Sequence, residues 1–250
     1  MMPMRAVAAA EDRARLACGV RHGALDGAAG EPMTPVCAAE FFEQWADGWD
    51  DAPSPMAAAE DRALLAWIEA LAPCRAVDVG CGTGRWTARL AAIGIDASPA
   101  MLAVAARKPG LRGRLAVGDA AALPVASGWA DLVLCALTFG HIHDQAGAMR
   151  EFARVLRPGG TLLLSDFHPD AAARGWRRTF RRDGQGYELK VHPYTLAQLR
   201  EMARGLTLAS VAEVCIGEEE RELFERAGRP ELFEQARGIP AILLTRWVRA

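Results

Sequence analysis

The chain has 250 residues, of which 51% are hydrophobic, and this length and composition allow one main hydrophobic core. A formal net charge of -2 lacks the basic excess of proteins that follow a phosphate backbone, so we expect no nucleic acid partner. No stretch approaches the roughly 18 uncharged apolar residues of a membrane span, and the six cysteines show neither a C-x-x-C pair nor zinc-like spacing. We therefore expect no membrane partner and a reducing, cytoplasmic location.

The N-terminal part carries little periodicity. Residues 1–38 are rich in alanine and glycine, which predicts a poorly ordered leader followed by a single domain over residues 39–250. The stretch FFEQWADGWDD, residues 41–51, mixes aromatic and acidic residues. It fits either a helix packed on the core or a segment that packs across a cleft. Apolar residues at helical spacing then predict a helix over residues 59–71, which Pro73 ends.

From residue 75 onward, short strand-like runs alternate with helical ones. This alternation predicts right-handed crossovers and a Rossmann-like, doubly wound α/β fold. We expect a seven-stranded sheet that is mostly parallel, with an antiparallel last strand and helices on both faces. The predicted strands are 75–80, 94–97, 115–118, 130–137, 161–167, 206–215 and 241–248. The predicted helices after residue 75 are 85–92, 99–108, one that ends at 157–160, 194–204, and one or two within 218–236.

An insertion follows the fifth predicted strand. Trp176, Phe180 and Tyr187 lie there among basic residues, with a hairpin-like turn at residues 183–186. We expect this stretch, at about residues 170–193, to form a lid over the substrate. The pattern fits a pocket for an aromatic or anionic small molecule, or a solvated basic face with aromatic residues packed beneath it.

The first strand-to-helix turn holds three glycines in the sequence VDVGCGTGRW, residues 77–86. Gly80, Gly82 and Gly84 let the backbone approach a ligand closely, and Cys81 fits as a small residue in a tight turn rather than a nucleophile. Dinucleotide-binding folds use the spacing G-x-G-x-x-G, whereas this loop has G-x-G-x-G. The spacing therefore argues against a nicotinamide dinucleotide.

Three acidic residues extend the prediction. Asp78 lies within the strand before the glycines, where a carboxylate repels a pyrophosphate but accepts an ammonium group. Asp96, at the end of the second strand, is suited to both hydroxyls of a ribose. Asp119 follows the third strand and is placed to meet the amino group of an adenine. An amine, a ribose and an adenine together describe S-adenosylmethionine.

Five stretches, in this order, resemble motifs of the class I S-adenosylmethionine-dependent methyltransferases, of the small-molecule, methyltransferase domain 11 type. They are VDVGCGTGRW, GIDASPAML, VGDAAALP, ADLVLCAL and RVLRPGG. One departure is that the stretch from Asp78 to Asp96 is shorter than this family's pattern, which bears on the length of the second strand and on the position of Asp96. The resemblance implies a cofactor site made of Asp78, Gly80, Cys81, Gly82, Gly84, Asp96, Ala97, Met101, Asp119, Ala120 and Leu137.

The resemblance implies methyl transfer from a sulfonium to a small-molecule acceptor by in-line displacement, a reaction that needs alignment and exclusion of water. Oxygen is the favoured acceptor atom, ahead of nitrogen and carbon. Methylation of RNA or protein is an alternative, and so is a non-catalytic subunit or regulator that binds the cofactor. A nicotinamide-dependent oxidoreductase is opposed by Asp78 and by the glycine spacing.

Histidines are the candidate catalytic groups. His141 follows the fourth strand and His168 the fifth, and an imidazole there suits a general base or a group that orients the acceptor. A metal site made of His141, His143, Asp166 and His168 is an alternative, because metal-assisted methyltransferases deprotonate catechols in that way. Nothing in the sequence fixes the mutual geometry of these groups, and we expect an enzyme without a metal.

Overall fold

A computed structural model describes residues 19–22, 33–182 and 185–250. Most of the predicted leader and part of the predicted hairpin turn, Asp183 and Gly184, lie outside the described residues. The β-strands of the described part form one sheet of seven strands and one of four. Both sheets contribute to the site described below.

The helices of the described residues are short apart from α2. In chain order they are α1 (Ala38–Trp45), α2 (Pro55–Leu71), α3 (Arg85–Leu90), α4 (Pro99–Ala105), α5 (Gln145–Val155), α6 (Pro169–Ala173), α7 (Leu196–Met202), α8 (Arg221–Arg226) and α9 (Pro230–Ala236). Short 3₁₀ turns lie at Ala46–Gly48, Phe139–His141 and Glu218–Glu220. Within the described part of the chain, no helix has both the length and the apolar character needed to cross a membrane.

The strands of the two sheets alternate with these helices. In chain order they are β1 (Gly19–His22), β2 (Met33–Val36), β3 (Ala76–Val79), β4 (Ile93–Asp96), β5 (Leu115–Val117), β6 (Ala130–Ala136), β7 (Leu156–Phe167), β8 (Trp176–Arg182), β9 (Gln185–Leu189), β10 (Leu206–Cys215) and β11 (Pro240–Arg249). The larger sheet contains β3 to β7, β10 and β11, and the smaller one contains β1, β2, β8 and β9.

The seven-stranded sheet has the order β10-β11-β7-β6-β3-β4-β5. Strands β3 to β7 pair in parallel, and β11 is antiparallel to both of its neighbours. This order confirms the predicted doubly wound fold with its antiparallel last strand. Because the chain continues from β3 to β4 on one side and later places β6 on the other, the order reverses at β3. Ligands of such sheets bind beyond the carboxyl ends of the strands at this point.

The central strands are buried on both faces, which explains their continuous apolar runs. All four residues of β3 are buried. Val77 and Val133 pack on one face with Phe152 of α5, whereas Leu132 packs on the other face with Ile68 of α2. The apolar stripes of the helices therefore cover both faces of the sheet.

Capping side chains set where two helices begin. Ser54 precedes Pro55, and its hydroxyl oxygen accepts a hydrogen bond from the Ala57 backbone N at 3.2 Å. Ser98 precedes Pro99 at the start of α4 in the same way. Serine before proline satisfies one free amide and fixes the first helical φ angle. Helix α2 consequently begins at Pro55, four residues before the start that its apolar spacing predicts.

The smaller sheet has the order β1-β8-β9-β2. Strands β8 and β9 form an antiparallel hairpin within the predicted insertion, as its composition predicts. The outer strands β1 and β2 lie within residues 1–38, the stretch predicted to be a leader. Both join the sheet through long-range pairing, because β1 pairs with β8 and β2 with β9, each far away in sequence.

Candidate active site

A cavity of about 560 Å³ lies beyond the carboxyl ends of β3, β4 and β6. One wall consists of these strand ends and the glycine loop. The opposite wall is the cover segment, which we define as residues 38–54 and which contains α1. The volume lies within the roughly 300–1,000 Å³ of small-molecule sites.

The three glycines of the loop have positive φ angles, but they have different surroundings. A Cβ atom on Gly80 would come within 2.0 Å of the Thr138 side chain, and one on Gly84 within 2.5 Å of Leu111. A Cβ atom on Gly82 would meet nothing within 4 Å, although its φ of +53° still favours glycine. Packing therefore requires Gly80 and Gly84, whereas the Gly82 backbone is open to the cavity.

Asp78 is a buried carboxyl group in the cavity wall. Its side chain is almost fully buried and accepts a hydrogen bond from the Thr87 hydroxyl at 2.7 Å. Burial raises the pKa of Asp78 to about 6, so the group is mostly ionised at neutral pH at a considerable desolvation cost. A ligand that brings a positive charge next to Asp78 offsets that cost. Burial likewise raises the pKa of the Cys81 thiol, which stays protonated.

Asp96 ends β4 and binds the glycine loop. Its Oδ2 atom accepts a hydrogen bond from the Gly82 backbone N at 2.7 Å, and Oδ1 accepts one from the Ser98 N at 2.8 Å. Burial raises the pKa of Asp96 despite these contacts. A carboxylate has about four acceptor positions, so each oxygen can accept a further hydrogen bond from a diol.

The next part of the cavity wall combines apolar surface with one acid. Met101 is buried at the start of α4 and lines the cavity together with Ala97 and Ala120. Asp119 is exposed at the rim, and its Oδ1 atom accepts a hydrogen bond from the Ala121 N at 2.8 Å. This arrangement suits a flat, apolar ring with an amino group at its edge.

The far end of the cavity lies beyond β6 and joins the two sheets. Leu137 has a φ of +50°, a conformation that non-glycine residues rarely adopt. The Arg178 side chain of β8 reaches this point, and its Nη1 atom lies 2.7 Å from Nε2 of His141 and 3.4 Å from the Leu137 carbonyl oxygen. Burial and the nearby Arg178 charge hold the pKa of His141 well below its usual value.

The cover segment is bound to the glycine loop through Asp50. The Thr83 hydroxyl donates a hydrogen bond to Oδ1 of Asp50 at 2.6 Å, and the Lys108 Nζ atom lies 2.7 Å from Oδ2. The segment also contributes aromatic surface to the cavity. Phe42 packs against Trp49 and against the His141 ring, with centroid distances of 5.4 and 5.5 Å. The cavity therefore lies between the glycine loop and the aromatic side chains of the cover segment.

Comparison with known proteins identifies the family. The family described as a methyltransferase domain matches residues 77–164. The malonyl-[acyl-carrier protein] O-methyltransferase of Dechloromonas aromatica is 32% identical over 218 residues, which cover 81% of this chain and 74% of that protein. The chain belongs to the S-adenosylmethionine-dependent methyltransferases. The cofactor of this enzyme family, S-adenosylmethionine, has the amine, the ribose and the adenine that were predicted from Asp78, Asp96 and Asp119.

Two further proteins show how far the similarity extends. The demethylmenaquinone methyltransferase of Thermus thermophilus is 39% identical over 108 residues, which cover 39% of this chain and 49% of that protein. The chain thus spans about half the length of curated relatives that it matches over this region. An S-adenosylmethionine-dependent methyltransferase from Mesorhizobium loti is 25% identical, with a TM-score of 0.55 over 76% of this chain and 98% of that one.

The residues present fit the methyltransferase cofactor. The open backbone at Gly82, the buried carboxylate of Asp78 and the remaining acceptor positions of Asp96 match a ligand with an ammonium group and a ribose. The shortened stretch before Asp96 does not displace this residue. Strand β4 is only four residues long, yet it pairs with β3 and β5 and ends at Asp96.

Most of the predicted site residues of this methyltransferase line the cavity. They are Asp78, Gly80, Cys81, Gly82, Asp96, Ala97, Met101, Asp119, Ala120, Leu137 and His141. Gly84 does not line it, because Gly84 packs behind the loop against Leu111 and Ala105. His168 does not line it either. Its ring caps α6 by accepting a hydrogen bond from the Asp170 N, and its Nε2 atom lies 3.4 Å from Oε1 of Glu213.

Sequence reasoning alone did not assign several cavity residues to the site. Asp50, Thr83 and Arg178 are the polar examples, and Phe42 and Trp49 are aromatic ones. The mixed aromatic and acidic pattern of residues 41–51 was a signal for the cover segment, but no local signal points to Arg178. Among the described residues, no three His, Cys, Asp or Glu side chains lie close enough together to hold a metal ion.

Proposed function

We propose that this methyltransferase methylates a small molecule, by in-line displacement onto an oxygen of the acceptor in preference to nitrogen or carbon. The observation that carries the proposal is the lining of the cavity. The cover segment and β8 contribute Phe42, Trp49 and Arg178 to the part beyond Leu137, and the volume of about 560 Å³ suits a cofactor and a compact acceptor. An acceptor with an aromatic ring or an anionic group matches this lining best.

The names of the relatives support the proposal. The Thermus relative is a demethylmenaquinone methyltransferase, and the Dechloromonas relative is a malonyl-[acyl-carrier protein] O-methyltransferase. The first name describes a small-molecule acceptor, and the second describes methylation of an oxygen. Only the second name specifies oxygen as the acceptor atom, so the preference for oxygen in this proposal rests on the Dechloromonas relative.

The proposed mechanism rests on positioning. Bound S-adenosylmethionine supplies an electrophilic methyl group on a sulfonium. Asp78 would hold the ammonium group of the cofactor and Asp96 its ribose, and the residues after β6 would hold the acceptor in line with the sulfonium. The cover segment excludes water. Alignment of this kind is worth about 7–11 kcal/mol of the barrier, so no strong acid or base is required when the acceptor arrives as an anion.

The proposal assigns roles to parts of the chain. Residues 1–38 remain a proposed leader outside the catalytic domain of residues 39–250. The insertion at about residues 170–193 is the proposed lid, and Arg178 is its contribution to the cavity. His141 fits the role of an orienting group better than that of a base, because its Nε2 atom is occupied by Arg178.

Calorimetric titration with S-adenosylmethionine, S-adenosylhomocysteine and NADH tests the cofactor site. We expect micromolar binding of the first two and none of NADH. Asp96→Ala should weaken this binding, whereas Asp170→Ala, at an exposed carboxylate away from the cavity, should not. Binding of NADH with neither sulfur ligand would overturn the proposal.

Transfer of a radiolabelled methyl group then tests the acceptor class. The panel contains aromatic hydroxy acids, aliphatic acids and amines, with bulk tRNA and bulk cellular protein as competing acceptors. Label in a small molecule supports the proposal. Label in tRNA or protein would replace it with a macromolecular methyltransferase, and cofactor binding without any transfer would favour a non-catalytic regulator.

A further inference from the structure

Arg178 lies at the acceptor end of the cavity and is held there from several directions. Its Nη1 atom contacts Nε2 of His141 at 2.7 Å and the Leu137 carbonyl oxygen at 3.4 Å. The guanidinium carbon lies 5.1 Å from the centroid of the Phe167 ring. A long side chain restrained in this way loses little further entropy when it binds a ligand.

His141 accepts from Arg178 rather than donating to it. A guanidinium has only donor groups, so Nε2 of His141 must be the unprotonated nitrogen and Nδ1 carries the proton. Burial and the Arg178 charge hold the pKa of His141 well below its usual value, so the ring stays neutral. His141 is therefore suited to positioning Arg178, not to removing a proton from the acceptor.

Aromatic rings pack on both members of the contact between Arg178 and His141. Phe167 lies against the Arg178 guanidinium, and Phe42 packs on the His141 ring. The nearby buried Asp166 carboxyl accepts hydrogen bonds from the Gly140 N and from the Phe167 N, the latter at 2.8 Å, and its interaction with Arg178 opposes the rise in its pKa that burial causes. Apolar walls exclude water and lower the local dielectric, which increases the attraction between a cation and an anionic ligand.

We propose that Arg178 binds a carboxylate group of the methyl acceptor, so that the substrate of this enzyme is a small organic acid with a planar or aromatic body. This assignment rests on the function proposed above. The planar guanidinium matches the two oxygens of a carboxylate, and the aromatic walls match a flat body. The position beside Leu137 places the acid next to the expected site of methyl transfer.

Benzoate and benzamide are matched probes for this assignment, because they differ in charge but not in shape. Each is titrated into protein saturated with S-adenosylhomocysteine, and binding is followed by the fluorescence of Trp49 and Trp45 in the cover segment. We expect benzoate to bind roughly 10- to 100-fold more tightly than benzamide, as for hydrogen bonds to a charged group.

Substitutions identify the residue that causes the preference for benzoate over benzamide. Arg178→Met should abolish this preference and leave S-adenosylhomocysteine binding intact. Arg177→Met is the matched control, because Arg177 is the exposed neighbour on the same strand and contacts Glu188 outside the cavity. If Arg178→Met does not bind S-adenosylhomocysteine, Arg178→Gln replaces it in the titration. We expect this variant to lose the preference for benzoate in the same way. His141→Gln keeps an acceptor for Arg178 and should keep the preference, whereas His141→Phe should lose it.

The outcomes distinguish this assignment from the proposed function. Equal binding of the two probes, no binding of either, or a preference that survives without Arg178 would each overturn the assignment while the methyltransferase proposal stands. Failure of the unmodified protein to bind S-adenosylhomocysteine in the same titration would overturn both.

Discussion

Replacement of Asp78 by asparagine should have opposite effects on folding stability and on cofactor binding, because both depend on the charge of this buried carboxyl group. The side chain is only 2% exposed, and burial raises its pKa from about 3.8 to about 6. In the unfolded chain the group returns to its ordinary pKa. At about 1.4 kcal/mol for each pH unit between the two values, ionised Asp78 lowers the stability of the cofactor-free protein by up to about 3 kcal/mol.

The sign of the pH dependence follows from the raised pKa. Between about pH 4 and pH 6 the folded state binds more protons at Asp78 than the unfolded state does. The favourable contribution of Asp78 is therefore complete below about pH 4 and is lost as the pH rises through 6. Asparagine carries no charge and can still accept the hydrogen bond from Thr87. Asp78→Asn should stabilise the cofactor-free protein at pH 8 and have little effect at pH 4.

Urea unfolding at pH 4, 6 and 8 without cofactor measures this difference. Asp119→Asn is the matched control, because Asp119 lines the same cavity but is exposed, and it should leave stability unchanged. The same Asp78→Asn protein should bind S-adenosylmethionine about 10- to 100-fold more weakly, since the ammonium group loses its charged partner. A variant that gains no stability at pH 8, or gains equally at pH 4, would refute the assignment of a raised pKa to Asp78.

Three further predictions test the site. Asp96→Ala should weaken S-adenosylmethionine binding by about 1–3 kcal/mol in calorimetry, and unchanged affinity would remove Asp96 from the site. Gly80→Ala should cost about 2 kcal/mol or more of folding stability, because its Cβ would overlap Thr138. Gly82→Ala should cost only about 1 kcal/mol of folding stability, but it should reduce cofactor binding. Similar losses of stability in both variants would contradict this distinction. Asp50→Ala should accelerate the release of S-adenosylhomocysteine in stopped-flow fluorescence, because the cover segment loses its contacts with Thr83 and Lys108. An unchanged release rate would show that the Asp50 contacts do not retain the cofactor.

The parts of the fold that could be predicted from sequence depend on local signals. Strand β10 occupies the predicted residues 206–215, and the alternation of strands and helices from residue 75 predicts the order of the elements. The glycine loop and Asp96 are equally local features, since each lies at the carboxyl end of a strand. These features need only residues that are close together in the chain, so periodicity and turn composition are sufficient.

The remaining features depend on contacts between distant parts of the chain. Strand β1 pairs with β8 across more than 150 positions, and composition alone cannot indicate such a partner. His141 and His168 both follow central strands, yet only His141 lines the cavity. His168 instead caps α6 beside Glu213 of β10. The hydrogen bond from Arg178 to His141 joins the two sheets, and it becomes visible only when both are placed.

The contacts of the cover segment link the two halves of the reaction site. Asp50 binds Thr83 in the glycine loop, whereas Phe42 of the same segment packs on His141 at the acceptor end. Because one short segment contacts both ends, its displacement would open the cofactor end and the acceptor end together. Since Asp96 also binds the glycine loop, cofactor binding at Asp96 is expected to favour closure over the acceptor.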